Sequence, residues 1–131
     1  MRRRLVVSFV AALALAGCSG GDAAPGTVEM VEGQRFDPES VTVAPGTTLT
    51  FVNESSEAHT VTAYDGGVPD GAPYFSSGGF DSEDAARDSL GDALLAEGET
   101  YEVTLDEPGT YEYFCIPHED QGMTGTIVVE G

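Results

Sequence analysis

A short loop near the C-terminal end of this 131-residue chain carries three side chains that are good ligands for soft metal ions. Cys115, His118 and Met123 lie within nine residues, and the chain has only one further cysteine and one further histidine. An alternating apolar and polar run, Thr110–Phe114, leads into Cys115, and a second one, Thr126–Glu130, follows Met123. This pattern predicts two strands joined by the loop, with hydrogen bonds holding both of its ends. The chain therefore has to fold so that these strands support one loop.

The rest of the sequence also indicates β-structure. Short runs with a period of two residues, separated by glycine and proline, are typical of an antiparallel β-sandwich. The chain is therefore predicted to be all-β. The further predicted strands are Thr27–Val31, Ser40–Ala44, Thr47–Val52, His59–Ala63 and Thr100–Leu105.

Residues 65–99 interrupt this pattern. The segment "DSEDAARDSLGDALLAEG" can form one or two helical turns, with Asp81 or Ser82 as the N-cap and acidic residues in the first turn. We predict one long insertion with a short helix beside the sandwich, and not a separate domain. The charged stretch "EDAARD" is expected to be a solvated helix face.

The donor atoms of the C-terminal loop indicate a copper site. A thiolate, an imidazole and a thioether form a soft ligand set, which copper accepts. Such a site needs a second imidazole, and His59 is the other histidine of the chain. Two histidines and a thiolate, with a weak axial methionine, form the blue-copper arrangement. The sequence thus predicts His59, Cys115, His118 and Met123 as ligands.

Each of these side chains also has a simpler interpretation. A lone cysteine is often a small core residue, a methionine often fills a gap in a core, and a single histidine is more often a bystander than a ligand. Their occurrence together at this spacing favours the metal site. An enzyme with a cysteine nucleophile is disfavoured, because Cys115 and His59 have no evident third partner or oxyanion site.

The loop resembles the copper loop of plastocyanin-type blue copper proteins, including the halocyanins. In that family Cys, two residues, His, four residues and Met follow one another, and Cys115, His118 and Met123 fit this spacing without a gap. The resemblance extends over most of residues 27–131, apart from the insertion. It implies a Greek-key β-sandwich of the cupredoxin type that binds one type 1 copper ion.

Three neighbouring residues bear on this resemblance. The family usually has asparagine after the first histidine ligand, where this chain has Thr60, so only a shorter hydroxyl tie between the ligand loops is expected. Phe114 replaces the tyrosine that precedes the cysteine in plastocyanins, which puts a second electron route in doubt. Pro117 fits the family, and its missing N–H removes one hydrogen bond that the Cys115 sulfur would otherwise accept.

The resemblance implies one-electron transfer between a redox donor and a redox acceptor, with His118 as the ligand nearest the surface. We expect no enzymatic activity, because four protein ligands leave no obvious position for a substrate. A copper oxidase or nitrite reductase domain would need several further histidines. The alternative is a copper carrier or storage protein without a redox role, which would favour Met- and His-rich tracts that the sequence lacks.

The N-terminal residues predict export and a lipid anchor. Three arginines precede an apolar run of 12 residues, Leu5–Ala16, which is short of the roughly 20 that a transmembrane helix needs. Cys18 directly after Leu-Ala-Gly resembles a bacterial lipobox. We therefore expect a signal peptide at residues 1–17, a lipidated tether at 18–26 and a copper domain at 27–131. The protein would be lipid-anchored at the outer face of the cell membrane. Either the general or the twin-arginine route could export it. A plain signal peptide with an incidental Cys18 is the simpler alternative.

The charge of the chain restricts its surroundings and partners. The net charge is −18, and for residues 18–131 it is −21, because three of the five arginines precede Cys18 while all 23 acidic residues follow it. Such a charge is tolerated best in concentrated salt, which predicts a halophilic protein. Nucleic acid is excluded as a partner by its own negative charge. We expect a monomer.

Overall fold

Eight β-strands form two four-stranded sheets in the described part of the chain. The computed structural model describes residues 26–131, so the predicted signal peptide, Cys18 and residues 18–25 of the tether lie outside the described residues. In spatial order, one sheet contains β2 (Arg35–Asp37), β1 (Thr27–Val31), β4 (Thr47–Asn53) and β6 (Thr100–Leu105). The other contains β3 (Ser40–Val43), β8 (Thr124–Val129), β7 (Gly109–Phe114) and β5 (Thr62–Ala63).

The two sheets contain both antiparallel and parallel strand pairs. β1 runs parallel to β4 and β3 runs parallel to β8, whereas the other four pairings are antiparallel. The predicted β-sandwich is confirmed, and its predicted antiparallel pairing holds for four of the six strand pairs. Alternating residues show which face of a strand is buried, but they do not show in which direction its neighbour runs.

The core lies between the sheets and includes side chains from both. In β4 the residues Leu49, Phe51 and Asn53 are buried, while those between them are partly exposed. The Phe51 ring contacts Tyr113 of the opposite sheet edge-on, with ring centroids 5.3 Å apart, and Phe36 lies 4.7 Å from the same ring. Aromatic pairs of this kind add about 0.5–1.5 kcal/mol beyond simple burial. This cluster joins the two sheets at Tyr113, which lies two residues before Cys115.

One predicted strand needs correction, and one strand was missed. The predicted strand His59–Ala63 is reduced to Thr62–Ala63, and His59 forms an isolated bridge with Leu95 instead. Its partner lies in the insertion, which local alternation cannot reveal. β2 was missed, because three residues are too few to show an alternating pattern.

The insertion contains two short α-helices, α1 (Glu83–Asp88) and α2 (Leu90–Ala93), and begins with a 3-10 turn at Asp65–Gly67. Ser82 is the N-cap of α1, and its side chain accepts a hydrogen bond from the Ala85 N–H at 3.1 Å. Of the two predicted caps, Ser82 is therefore the one used. No helix within residues 26–131 has the length and apolar character needed to cross a membrane.

Candidate metal centre

His59 is placed by the segment that follows β4 and by the insertion. Its backbone N–H donates to the Leu95 carbonyl at 3.1 Å, and the Leu95 N–H donates back to the His59 carbonyl at 2.7 Å. The side chain of His59 is fully buried. The insertion is therefore part of the frame that holds this imidazole.

Cys115, His118 and Met123 are placed by the connection between β7 and β8. A 3-10 helix at Ile116–Gln121 follows Cys115 and ends at Gly122, whose φ of 82° lies in the left-handed region that glycine accepts without strain. The Cys115 N–H donates to the Met123 carbonyl at 3.0 Å, and the Met123 N–H donates to the His118 carbonyl at 3.2 Å. The loop is thus closed on itself. Cys115 and Met123 are both fully buried.

Three donor atoms converge between these two segments. The Nδ1 atoms of His59 and His118 lie 3.0 Å apart, and the Cys115 Sγ lies 3.6 Å from the first and 3.5 Å from the second. Donors that bind one ion at about 2.0–2.3 Å must lie within roughly 4.6 Å of one another. The residues therefore fit a single metal ion, and they combine the imidazole and thiolate ligands that suit copper.

The outer nitrogen of the His59 ring is occupied by a serine. Ser55 Oγ lies 2.7 Å from His59 Nε2 and also contacts two groups that only accept hydrogen bonds, Asn53 Oδ1 at 2.8 Å and the Glu57 carbonyl at 3.1 Å. The serine hydrogen is directed to one of these acceptors, so the serine oxygen accepts a hydrogen bond from His59 Nε2–H. This leaves Nδ1 of His59 without a hydrogen and free to bind a metal.

Asn53 organises the segment that ends at His59. Its amide nitrogen donates to the Glu57 carbonyl at 2.7 Å and to the Leu95 carbonyl at 2.9 Å, while its Oδ1 accepts from the Ser55 N–H at 2.9 Å. Sequence reasoning missed Asn53, Ser55 and Glu57. The only signal was the Asn-x-Ser spacing, which allows an Asx turn of this kind.

Thr60 ties the two ligand-bearing segments together. Its hydroxyl accepts a hydrogen bond from the Ile116 N–H at 2.9 Å, and its backbone N–H donates to Cys115 Sγ at 3.3 Å. The expected hydroxyl tie in place of an asparagine side chain is confirmed.

Comparisons of sequence and structure with known proteins are consistent with a copper site of this kind. Residues 27–130 match the family described as copper binding proteins, plastocyanin/azurin family. The chain belongs to this family. The plastocyanin of Scenedesmus fuscus is 40% identical over 95 residues, which are 72% of this chain and 86% of that protein. The chloroplastic plastocyanin of Oryza sativa subsp. indica is 37% identical over 94 residues, 72% of this chain but only 54% of that longer protein. The oxidised plastocyanin of Dryopteris crassirhizoma superposes with a TM-score of 0.59 at 26% identity, covering 79% of this chain and 99% of that one.

This membership confirms the predicted type 1 copper protein, its copper cofactor and the cupredoxin β-sandwich. Plastocyanin-family proteins carry single electrons and are not enzymes, so the prediction of a non-enzymatic carrier is also confirmed.

Burial changes the acid–base properties of two groups in this plastocyanin-family site. It raises the pKa of the Cys115 thiol, an effect opposed by hydrogen bonds from the backbone of Thr60 and His118. It lowers the pKa of His59, as does the positive charge that His118 carries when protonated. Both shifts disfavour charged side chains in the absence of a cation. A bound metal ion compensates for the burial of a thiolate.

The insertion of this cupredoxin contacts the metal loop, which comprises residues 115–123, through Arg87. The Nε of Arg87 donates to Glu83 at 2.9 Å, and Nη2 donates to Glu119 in the 3-10 helix at 3.1 Å. The guanidinium carbon lies 4.4 Å from the centroid of the Phe114 ring. Tyr64 stacks on Phe114 at 4.2 Å and donates its hydroxyl to Glu119 at 2.7 Å. The expectation that "EDAARD" is simply a solvated face was therefore wrong for Arg87.

Proposed function

We propose that His59, Cys115, His118 and Met123 hold one type 1 copper ion, and that the protein passes single electrons between a redox donor and a redox acceptor. The observation that carries this proposal is the convergence of both ring Nδ1 atoms and the Cys115 Sγ within 3.6 Å of one another. Met123 is buried, and its carbonyl is bonded to the Cys115 N–H, which supports its assignment to the same centre.

When bound, copper supplies the exchange between copper(II) and copper(I). The task of the protein is to hold the donor atoms in one arrangement during this exchange. Ser55 fixes the His59 ring, and the Thr60 hydroxyl and N–H fix the Cys115 segment. Restrained ligands of this kind move little when one electron is gained or lost, which favours fast transfer.

His118 is the proposed point of electron entry and exit. Its side chain is 14% exposed, whereas His59, Cys115 and Met123 are fully buried. A redox partner can therefore approach the ring edge of His118 more closely than any other proposed ligand.

The optical spectrum of the copper(II)-loaded protein tests the ligand assignment. We expect an intense thiolate-to-copper band in the visible region, and Cys115→Ser should abolish it. Cys18→Ala removes the other cysteine and should leave the band unchanged. A colourless copper complex of the unsubstituted protein, or a band that survives Cys115→Ser, would disprove the assignment. A persistent band with no electron exchange with small redox mediators would favour the carrier or storage alternative.

We further propose a halocyanin-like, monomeric protein that is anchored by lipid on Cys18 at the outer face of the cell membrane. The support is the order of a basic head, a short apolar run and Leu-Ala-Gly-Cys in the sequence. The Cys18→Ala protein should be released from washed membranes, because stable anchoring requires acyl chains. Retention of this variant on the membranes would contradict the proposed anchor.

A further inference from the structure

The carboxylate of Glu57 lies against the outer side of the His118 ring. Glu57 Oε2 is 2.9 Å from His118 Nε2, the ring nitrogen that does not face Cys115. The side chain of Glu57 is 44% exposed and that of His118 is 14% exposed. A negative charge therefore stands at the only proposed ligand with an exposed ring edge.

Several hydrogen bonds hold Glu57 in this place. Its backbone carbonyl accepts from the Asn53 amide at 2.7 Å and from the Ser55 hydroxyl at 3.1 Å. Its Oε2 also accepts from the Gln34 amide at 3.2 Å. The backbone of Glu57 is therefore held by its own segment, and its carboxylate contacts Gln34 as well as His118.

The contact with Glu57 influences which nitrogen of the His118 ring carries the hydrogen. A bare nitrogen lone pair 2.9 Å from a carboxylate oxygen would be repelled, whereas an N–H at that position is attracted. The carboxylate therefore favours the tautomer with a hydrogen on Nε2, which leaves Nδ1 of His118 bare and directed toward Cys115. In the metal-free protein the bare Nδ1 of His59, 3.0 Å away, acts in the opposite direction, because it attracts a hydrogen on Nδ1 of His118. A bound metal ion would remove this competition by accepting both lone pairs. The nearby charge also favours the more highly charged copper(II) over copper(I).

We propose that Glu57 is a positioning residue of this site, which favours the metal-binding tautomer of His118 and lowers the reduction potential through its charge. The inference rests on the proposed role of His118 as a ligand. Carboxylate–histidine pairs around metal ions act in this way, by orienting the ring and raising its basicity.

Two variants of Glu57 separate the hydrogen-bonding role from the charge. Glu57→Gln keeps an oxygen acceptor but removes the charge, and Glu57→Ala removes both. The control is Glu54→Gln, which removes the same charge from an exposed side chain. Within residues 26–131, Glu54 forms no ion pair or hydrogen bond with either imidazole.

Two measurements at neutral pH test the proposal. The ¹⁵N shifts of the His118 ring in the metal-free protein report the tautomer, and mediator titration of the copper protein reports the reduction potential. We expect Glu57→Ala to increase the fraction with hydrogen on Nδ1. We expect both Glu57 variants to shift the electron-exchange equilibrium toward copper(I) by roughly three- to tenfold. Molar salt should reduce this second effect, because the carboxylate is partly exposed, and should leave the tautomer unchanged.

The outcomes separate this inference from the proposed function. If the copper band is present but neither Glu57 variant differs from Glu54→Gln in tautomer or potential, Glu57 has no positioning role while the site stands. If the unsubstituted protein gives no band, the ligand assignment fails. The tautomer in the metal-free protein then still shows whether Glu57 controls the His118 ring.

Discussion

Thr60 connects two ligand-bearing segments with a single side chain. It follows His59 directly, and its hydroxyl accepts from the Ile116 N–H, which follows Cys115. Thr60 is fully buried. If the hydroxyl were removed, the partly buried Ile116 N–H would lose its partner, and an unpaired polar group in such a place is costly.

We therefore predict that Thr60→Val destabilises the protein by about 1–2 kcal/mol, whereas Thr60→Ser retains most of the stability because it keeps the hydroxyl. Chemical denaturation of the metal-free protein measures both effects without a contribution from copper. Equal stability of the two variants would show that the tie contributes nothing.

The residues of the candidate site were predictable to different degrees. Cys115, His118 and Met123 share one loop, so their spacing alone indicated a common site, and His59 followed because the chain has no further histidine. Glu57 gave no such signal. It is one of 23 acidic residues, and only the tertiary path of its segment brings it to 2.9 Å from His118.

The insertion is a supporting element of the metal loop, and not merely a connection. Arg87 of α1 bonds to Glu119 of the 3-10 helix and packs on Phe114, directly before Cys115. The ion pair is about one-third exposed on both sides, so by itself it contributes at most about 1 kcal/mol. The contact with the Phe114 ring adds to it. The larger consequence is that the loop is restrained from outside the sandwich.

We predict that Arg87→Ala increases the mobility of the metal loop more than it lowers global stability. Amide hydrogen exchange of residues 116–123 in the metal-free protein should accelerate by roughly tenfold, while exchange in the strands changes little. Arg35→Ala is the matched control, because Arg35 is the other arginine of residues 26–131 and is exposed on β2. Arg35 forms no ion pair with any of these residues. Unchanged exchange in the loop, or the same change with Arg35→Ala, would rule out this bracing role.

At the level of elements, local patterns predicted the strands but not their partners. Alternation depends on neighbouring residues, and it correctly indicated seven of the eight strands in whole or in part. The parallel pairs, the bridge between His59 and Leu95 and the contact of Arg87 all join residues distant in sequence. Such contacts depend on how the whole chain folds, and no pattern within a short window records them.

The whole molecule carries far more negative than positive charge. Residues 26–131 contain only two arginines and no lysine, and the net charge of the full chain is −18. Many acidic side chains, including Glu97, Glu102 and Glu112, are exposed. Their mutual repulsion is relieved when the chain unfolds and the charges separate, so it weakens the folded state at low salt. The effect falls as the Debye length shrinks from about 10 Å at 0.1 M salt to about 3 Å at 1 M.

We therefore predict that the unfolding midpoint rises with sodium chloride up to the molar range. Salt can also stabilise proteins by strengthening apolar burial, so the rise alone does not identify the cause. A variant with Glu97→Gln, Glu102→Gln and Glu112→Gln separates the two effects, because it removes three exposed charges and leaves the apolar core intact. If repulsion is the cause, this variant is more stable than the parent at low salt, by roughly 1 kcal/mol, and the difference disappears at 1 M. An advantage that persists in concentrated salt, or a midpoint that does not depend on salt, would contradict a halophilic design.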